Sequence, residues 1–311
     1  MCGLDLIMRV ACIAMASTGM QSFGAQLVVS NVGGRADFRL GEGPVFHSTT
    51  AVVTASNSIP VADTTVVLIT WNEQVPSGPA VPWYAISLDG QAVLTAREAS
   101  YSLPLRFQQF DPLLTSPTVP STLTVSSGSQ VYIVQFVTQS LSELRNGIKA
   151  VGAVIYRSLP NHCHIVKMSP QTRSQVEALP YVRAVIPFHP VYKLEPSLGT
   201  NLAALPSQQY NILVFEDGME QKAAVKQHVE ALGGATNTLW PAGKLMQATL
   251  TTQQLQAVIA MDEVAYVDVW KPPMTNMDNA RVVSGEASVA RYSSAGPPRP
   301  RCAGQLPYAP W

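Results

Sequence analysis

The sequence predicts an α+β chain in which one β-α-β-β-α-β unit occurs twice, after an N-terminal antiparallel β module. Three observations favour this fold class. Two similar segments run from strand through turn and helix to strand, and they end at Pro190 and Pro272, 82 residues apart (272 − 190). Apolar residues in both recur at spacings of three and four, as on the buried face of a helix. Helix-stopping glycines and helix caps follow at matching places.

The first unit opens with a strand-like run, VYIVQFV (Val131–Val137). An amphipathic helix follows and is predicted to end at Gly152, because glycine commonly terminates a helix. Ser169 and Pro170 predict the start of a second helix, since serine caps helices and proline suits their first position. The strand-like run YVRAVIPF (181–188) closes the unit.

The second unit follows the same order. The strand-like run YNILVF (Tyr210–Phe215) leads into a helix that is predicted to end at Gly233 and Gly234. Thr251, with Gln254 three residues later, predicts a capping box at the start of the last helix. VAYVDVW (264–270) is the final predicted strand.

The two units keep one register, and this register indicates an internal duplication. Each matched pair is 82 residues apart: Gly152 and Gly234, Ser169 and Thr251, Val182 and Val264, and Pro190 and Pro272. A four-stranded antiparallel sheet can bury both helices of a unit on one face and leave its other face open. The prediction is therefore two tandem ferredoxin-like (βαββαβ) sandwiches. This fold serves many functions and settles none by itself.

The remaining segments set the predicted domain boundaries. Residues 1–25 resemble a signal peptide, because Arg9 precedes the apolar run Val10–Met15 and small residues follow. Residues 26–128 are predicted to be a β-rich N-terminal region ending in a Pro/Ser/Thr linker (111–128), with a two-residue hairpin turn at Asp89-Gly90. The two repeated domains span 129–196 and 206–274, and 275–311 form an irregular tail. Export predicts a secreted or cell-envelope protein.

Two stretches of the repeats resemble subtilase propeptides, the inhibitor-like prodomains of subtilisin-type serine proteases. YIVQF (Tyr132–Phe136) resembles the first strand of that family. KLMQATLTTQQLQAVIAMDEVAYVDV (Lys244–Val269) resembles its second half, including a Val-x-Tyr-Val-acid strand at 264–268. The resemblance covers roughly 131–190 and 209–272, which is under half of the chain.

This resemblance implies a role as folding catalyst and temporary inhibitor of a subtilisin-like protease domain, which would be the partner. In the family, the open sheet face packs on two helices of the enzyme and the C-terminal tail lies in the substrate groove. The implied protease contacts here are Val269, Trp270, Lys271 and Pro272. Trp270 could equally cap the edge of its own core, and Lys271-Pro272 could be a plain linker.

No catalytic residues are predicted. None of the five histidines is followed by glycine and no Gly-Thr-Ser occurs, so the blocks that a subtilase needs are missing. Only 39 residues follow Pro272 (311 − 272), and we expect a truncated or frame-shifted protease precursor. The alternative is a secreted structural or ligand-binding protein built on ferredoxin-like repeats.

Composition and charge exclude other partners. Twenty basic residues balance twenty acidic ones, so no overall field favours nucleic acid. No run of about 18 apolar residues follows the signal, so no membrane span is predicted. The units differ in charge, with seven Lys/Arg against three Asp/Glu in 131–195 (+4) and four against seven in 209–272 (−3). This difference suggests that they dock on each other.

His162-Cys163-His164 could suggest a metal or a nucleophile. On a strand the two histidines lie on one face and the cysteine on the other, so the cysteine is not activated by its neighbours. Zinc would need two further ligands, and no second Cys/His cluster occurs. The sequence therefore predicts an exposed hairpin tip here, and no metal or cofactor.

Overall fold

The computed structural model describes residues 26–199, 202 and 205–272. The predicted signal peptide (1–25) lies outside the described residues, as does the predicted tail (275–311). One compact unit extends to Val269, and Trp270 begins a second unit. No described helix is both long and apolar enough to cross a bilayer.

The N-terminal region consists of nine strands in three antiparallel sheets. The strands are β1 (Leu27–Val32), β2 (Arg35–Leu40), β3 (Val45–Thr49), β4 (Val52–Pro60), β5 (Val67–Gln74), β6 (Ala80–Ser87), β7 (Thr95–Glu98), β8 (Leu103–Pro104) and β9 (Gln109–Phe110). β1–β3 form one sheet, β4–β7 a second, and the short β8 and β9 a third. The first two sheets share a core around Phe38 and Trp71.

A buried carboxylate joins these two sheets. Glu73 on β5 accepts hydrogen bonds from Thr49 Oγ1 (2.8 Å) and Trp71 Nε1 (2.9 Å), and its carboxylate lies 2.6 Å from His47 Nε2. Burial raises the pKa of Glu73, but these partners outweigh burial and the pKa lies below its usual value. A satisfied buried carboxylate of this kind fixes β3 against β5.

Both repeats have the same strand order. The first contains β10 (Val131–Phe136), α1 (Ser142–Ala150), β11 (Val154–Leu159), β12 (Cys163–Lys167), α2 (Pro170–Glu177) and β13 (Val182–Pro187). A 3-10 turn (Pro190–Lys193) and α3 (Pro196–Gly199) lead to β14 (Gln208–Val214), α4 (Glu220–Ala231), β15 (Ala235–Leu239), β16 (Leu245–Leu250), α5 (Thr252–Ile259) and β17 (Val264–Val269). The sheets run β11-β12-β10-β13 and β15-β16-β14-β17, and both are antiparallel.

The predicted helix caps are confirmed. Ser169 Oγ accepts the Thr172 N–H at 3.1 Å at the start of α2. Thr251 and Gln254 form the predicted capping box at the start of α5, with Thr251 N donating to Gln254 Oε1 at 2.8 Å. These interactions are local in sequence, so they depend little on the rest of the fold.

Matched residues of the two repeats are 82 positions apart only from the second strand of each hairpin, β12 or β16, onward. The glycine that follows the C-cap of the first helix is Gly152 (φ +97°) in one repeat and Gly233 (φ +75°) in the other, so the equivalent glycines are 81 residues apart (233 − 152). The predicted match of Gly152 with Gly234 is therefore wrong by one residue. The difference lies in the β15–β16 hairpin, which is one residue longer than the β11–β12 hairpin.

The predicted fold class, an α+β chain of two tandem ferredoxin-like sandwiches with an N-terminal β module, is wrong for the chain. The structure is mostly β: 40% of the described residues are in strands and 20% in helices, and these strands form five antiparallel sheets. Residues 26–60, which carry little periodicity, contribute four strands. The repeats also do not form separate sandwiches, because one hydrophobic cluster contains Ile133 of the first and Ile212 of the second.

The second face of the first repeat's sheet is covered by the chain itself. Residues 103–123, which we call the strap, contribute Leu103, Phe110 and Leu123 to the cluster that also contains Val131 and Ile165. Each of these side chains is at most 6% exposed. Part of the segment predicted to be a linker (111–128) is thus built into the core.

An ion pair fastens the strap to the first repeat. Arg183 on β13 donates to both carboxylate oxygens of Asp111, at 2.8 and 2.9 Å, and to Gln135 Oε1 at 2.7 Å. Its guanidinium also lies 4.0 Å from the centre of the Tyr101 ring. The Arg183 and Asp111 side chains are 13% and 16% exposed. A bidentate pair with this little solvent fixes the position of the strap strongly.

The repeats dock through the segment that links them. Lys193 Nζ, in the 3-10 turn, donates to Met261 O at 2.7 Å beyond the end of α5, and Glu195 N donates to Val267 O on β17 at 2.9 Å. Asp262 accepts from Ser129 Oγ at 2.6 Å, at the entry to β10. Burial lowers the pKa of Lys193 to about 8, although the carboxylates of Asp262 and Glu263 act against it.

Asp111→Asn removes one partner of a largely buried ion pair and leaves the Arg183 charge uncompensated. We expect the free energy of unfolding to fall by about 3 kcal/mol in urea denaturation. Glu177→Gln is the matched control, because it breaks the solvent-exposed Arg173–Glu177 pair on α2 and should cost less than about 1 kcal/mol. Equal losses in the two variants would show that the strap is not held by this pair.

Lys193 should make stability depend on alkaline pH. Its pKa is about 8 in the folded chain and 10.5 when unfolded, so between these values the unfolded state binds more protons and stability rises with pH. Lys193→Met has no amino group at this position, so its stability lacks this dependence on pH. The difference in unfolding free energy, wild type minus Lys193→Met, is expected to rise from pH 8 to pH 10.5 in urea titrations. A flat or falling difference would contradict it.

Candidate functional site

The second repeat has a sheet face that its own helices do not cover. In β14, Tyr210, Ile212 and Val214 are buried beneath the helices, whereas the alternate residues Asn211 and Leu213 are half-buried. Strand pairing places eight side chains on this outward side: Gln209, Asn211, Leu213, Leu245, Gln247, Thr249, Tyr266 and Asp268. We call these residues the second sheet face.

A chain of side-chain amides crosses three strands of the second sheet face. Gln209 Nε2 donates to Gln247 Oε1 at 3.0 Å, and Gln247 Nε2 donates to Asn211 Oδ1 at 2.9 Å. Asn211 Nδ2 then donates to Asp268 Oδ1 at 2.7 Å. Because each amide is held by its neighbours, these side chains are ordered before any partner arrives, which lowers the entropic cost of binding.

The opposite end of this surface is apolar. Leu213 is half-buried and Leu245, its partner across the strands, is 37% exposed. Trp240, in the hairpin loop between β15 and β16, is 42% exposed. The fully buried Lys222 on α4 fixes this loop by donating to the carbonyls of Trp240 and Ala242. The surface therefore combines ordered polar groups with exposed apolar ones, as protein interfaces do.

The corresponding face of the first repeat is not accessible. Val131, Ile133 and Gln135 alternate along β10 on that side, and each is at most 1% exposed. The strap covers the two apolar residues, and Gln135 Nε2 donates to Tyr101 O at 3.0 Å. Of the two sheets, the second is therefore the one that can offer a face to a partner.

The four predicted protease contacts lie at the end of β17. Val269 is the last residue of the strand, pairs with Tyr210, and packs against the core. Trp270 is half-buried, while Lys271 and Pro272 are exposed. Their contact with a protease remains a prediction.

The His162-Cys163-His164 segment forms a tight hairpin, not an exposed tip. Asn161 and His162 both have positive φ (54° and 68°). The His162 ring makes edge contacts with Tyr84 and Tyr101, at centroid distances of 5.3 and 6.1 Å. The N-terminal region thus packs against the tip, which corrects the predicted exposure.

Cys163 and His164 are buried on opposite faces of the sheet, in agreement with the predicted alternation. Burial raises the pKa of Cys163 to about 12, so the thiol stays protonated and is a poor nucleophile. His164 Nε2 lies 2.7 Å from Ser140 Oγ, and burial lowers the pKa of His164 to about 4. Within the described residues, no group of three or more His, Cys, Asp or Glu is arranged to hold a metal ion.

Comparison with known proteins gives one match to a family profile. Its description is Domain of unknown function (DUF8729), and it matches residues 104–189. These residues begin in the strap and end just after β13, so the match treats the strap and the first repeat as one domain. No curated protein matches the chain.

His164 should make the protein sensitive to acid. Its pKa is 6.5 when unfolded and about 4 when folded, so between these values the unfolded state takes up the proton and stability falls as pH falls. The nearby Arg145 charge acts in the same direction as burial. Relative to His164→Asn, wild-type unfolding free energy should drop between pH 6.5 and pH 4 in urea titrations. A constant difference across this range would be the contrary result.

Proposed function

We propose that this chain is an exported, non-catalytic, propeptide-like protein that inhibits or helps to fold a subtilisin-like serine protease. The second sheet face is the proposed docking surface. One observation carries the proposal: the second repeat presents an ordered sheet face that is open except where Arg106 of the strap lies over Tyr266, whereas the strap covers the corresponding face of the first repeat.

The residues that resemble the subtilase propeptides support the choice of surface. In the Val-x-Tyr-Val-acid strand, Val264 and Val267 are fully buried under the helices. Tyr266 and Asp268 lie on the second sheet face, where Asp268 ends the chain of amides. The resemblance therefore includes both the residues that form the core and the residues available to a partner.

A folding role is physically reasonable for such a surface. A subtilisin-type catalytic domain depends on long-range parallel strand pairing, which is slow to form because distant segments must meet first. A rigid sheet face that binds the native-like arrangement of two enzyme helices stabilises it before the rest has formed. Tight binding to the finished enzyme then produces inhibition.

Asn211→Arg tests the docking surface directly. The full chain should inhibit at least one member of a panel of subtilisin-like proteases, measured with a chromogenic peptide. Asn211→Arg breaks the chain of amides and places a larger side chain in the middle of the contact, so it should raise the inhibition constant about tenfold or more. Asn146→Arg, on the exposed side of α1, is the matched control and should change it less than about twofold.

The proposal is wrong if the folded full chain inhibits no protease of the panel and does not accelerate refolding of a denatured subtilisin-type domain. Circular dichroism of each variant checks that loss of inhibition does not come from loss of fold. The full chain is needed because the two repeats share one hydrophobic cluster. A negative result would favour the alternative, a structural or ligand-binding protein.

A further inference from the structure

A cleft of about 420 Å³ lies where the strap, the β11–β12 hairpin and the second repeat meet. Its volume is in the range of sites that bind small molecules or short peptide segments. The residues that matter for its chemistry are Arg106, Arg157, Ile165, Phe188, Leu213 and Tyr266. Among the described residues that line it, none is acidic.

The two arginines give the cleft a positive rim. Arg106 and Arg157 are both exposed. Arg106 lies 4.3 Å above the Tyr266 ring, which orients its guanidinium without neutralising it. Neither arginine forms an ion pair within the described residues, so both charges remain available to a ligand. Ile165 and Phe188 provide an apolar floor, since both belong to the buried core.

One wall of the cleft is formed by β11 and the β11–β12 hairpin, through Arg157, Ser158, Leu159 and Pro160. Arg157 is opposite Ile165 in the pairing of β11 with β12, so its side chain shares a sheet face with the apolar floor.

We propose that this cleft binds an extended acidic peptide. Side chains two residues apart on an extended peptide point to the same face. A Glu or Asp of the peptide lies between Arg157 and Arg106 and pairs with both, and an apolar side chain two residues away rests on Ile165 and Phe188. The recognised pattern is therefore acid-x-apolar. This inference does not rest on the proposed inhibition of a protease.

Blocked peptides titrated into the full chain by calorimetry test the pattern. The peptide Thr-Glu-Thr-Leu-Thr, acetylated and amidated, should bind about tenfold or more tightly than the same peptide with Gln in place of Glu, because a charge-assisted hydrogen bond is lost. It should also bind more tightly than Thr-Glu-Leu-Thr-Thr, in which the acid and the leucine point to opposite faces.

Variants locate the binding site. Arg157→Gln and Arg106→Gln should each weaken binding of the Glu peptide about tenfold. Arg39→Gln, at an exposed arginine of β2 that is not among the cleft residues, should leave it unchanged. Asn211 is not among the cleft residues, although Leu213 and Tyr266 belong both to the cleft and to the second sheet face.

Three results would overturn the inference. They are equal binding of the Glu and Gln peptides, no binding at millimolar concentration, and binding that is indifferent to both cleft arginines. Self-association of the chain in sedimentation experiments, lost in Arg157→Gln, would instead assign the cleft to a second copy of the chain and would also overturn it.

Discussion

The architecture depends on one constraint, which is that the first repeat's sheet is apolar on both faces. Its helices can bury only one of them, and leaving Ile133 and Ile165 in water would cost about 2 kcal/mol for each side chain. The strap provides the second cover, and the Asp111–Arg183 pair holds it in place. Because the strap continues from the N-terminal sheets, covering this face also brings those sheets against the repeat, where Tyr84 meets the β11–β12 hairpin.

The two repeats share a topology but differ in what their sheets do. Every residue of β10 is buried, whereas burial alternates along β14 between core residues such as Ile212 and outward residues such as Asn211. The first repeat is thus an internal scaffold that joins the other parts of the chain. The second keeps the ordinary one-sided sheet and has a surface left for recognition. Hydrogen bonds of Lys193 and Asp262 connect the first repeat to the second repeat.

Local interactions were predictable from the sequence, whereas the covering of the first repeat's sheet by the strap was not. The caps at Ser169 and Thr251 depend on atoms within three residues, so the sequence pattern was sufficient. The predicted two-residue hairpin turn at Asp89-Gly90 is wrong. The Asp89 carboxylate accepts two backbone N–H groups, and a longer loop joins β6 to β7. The strap carries no periodicity, and its partner Arg183 is 72 residues from Asp111. One signal for the site was present but missed: VYIVQF is nearly all apolar, as in strands buried on both faces, while QYNILV begins with polar and apolar residues in alternation (Gln209 to Ile212).

The order of these segments along the chain determines how the first repeat matures during synthesis. The strap is translated before β10, so it has already left the ribosome when β13 completes the sheet, and the apolar face can be covered as soon as it forms. The 3-10 turn after β13 is different, because it packs against α5 and β17, the last helix and strand of the described chain. The amino group of Lys193 therefore stays hydrated until the second repeat has been made. At that stage the strap already covers one side of the nascent first repeat, while the side that will contact α5 and β17 is still exposed to solvent.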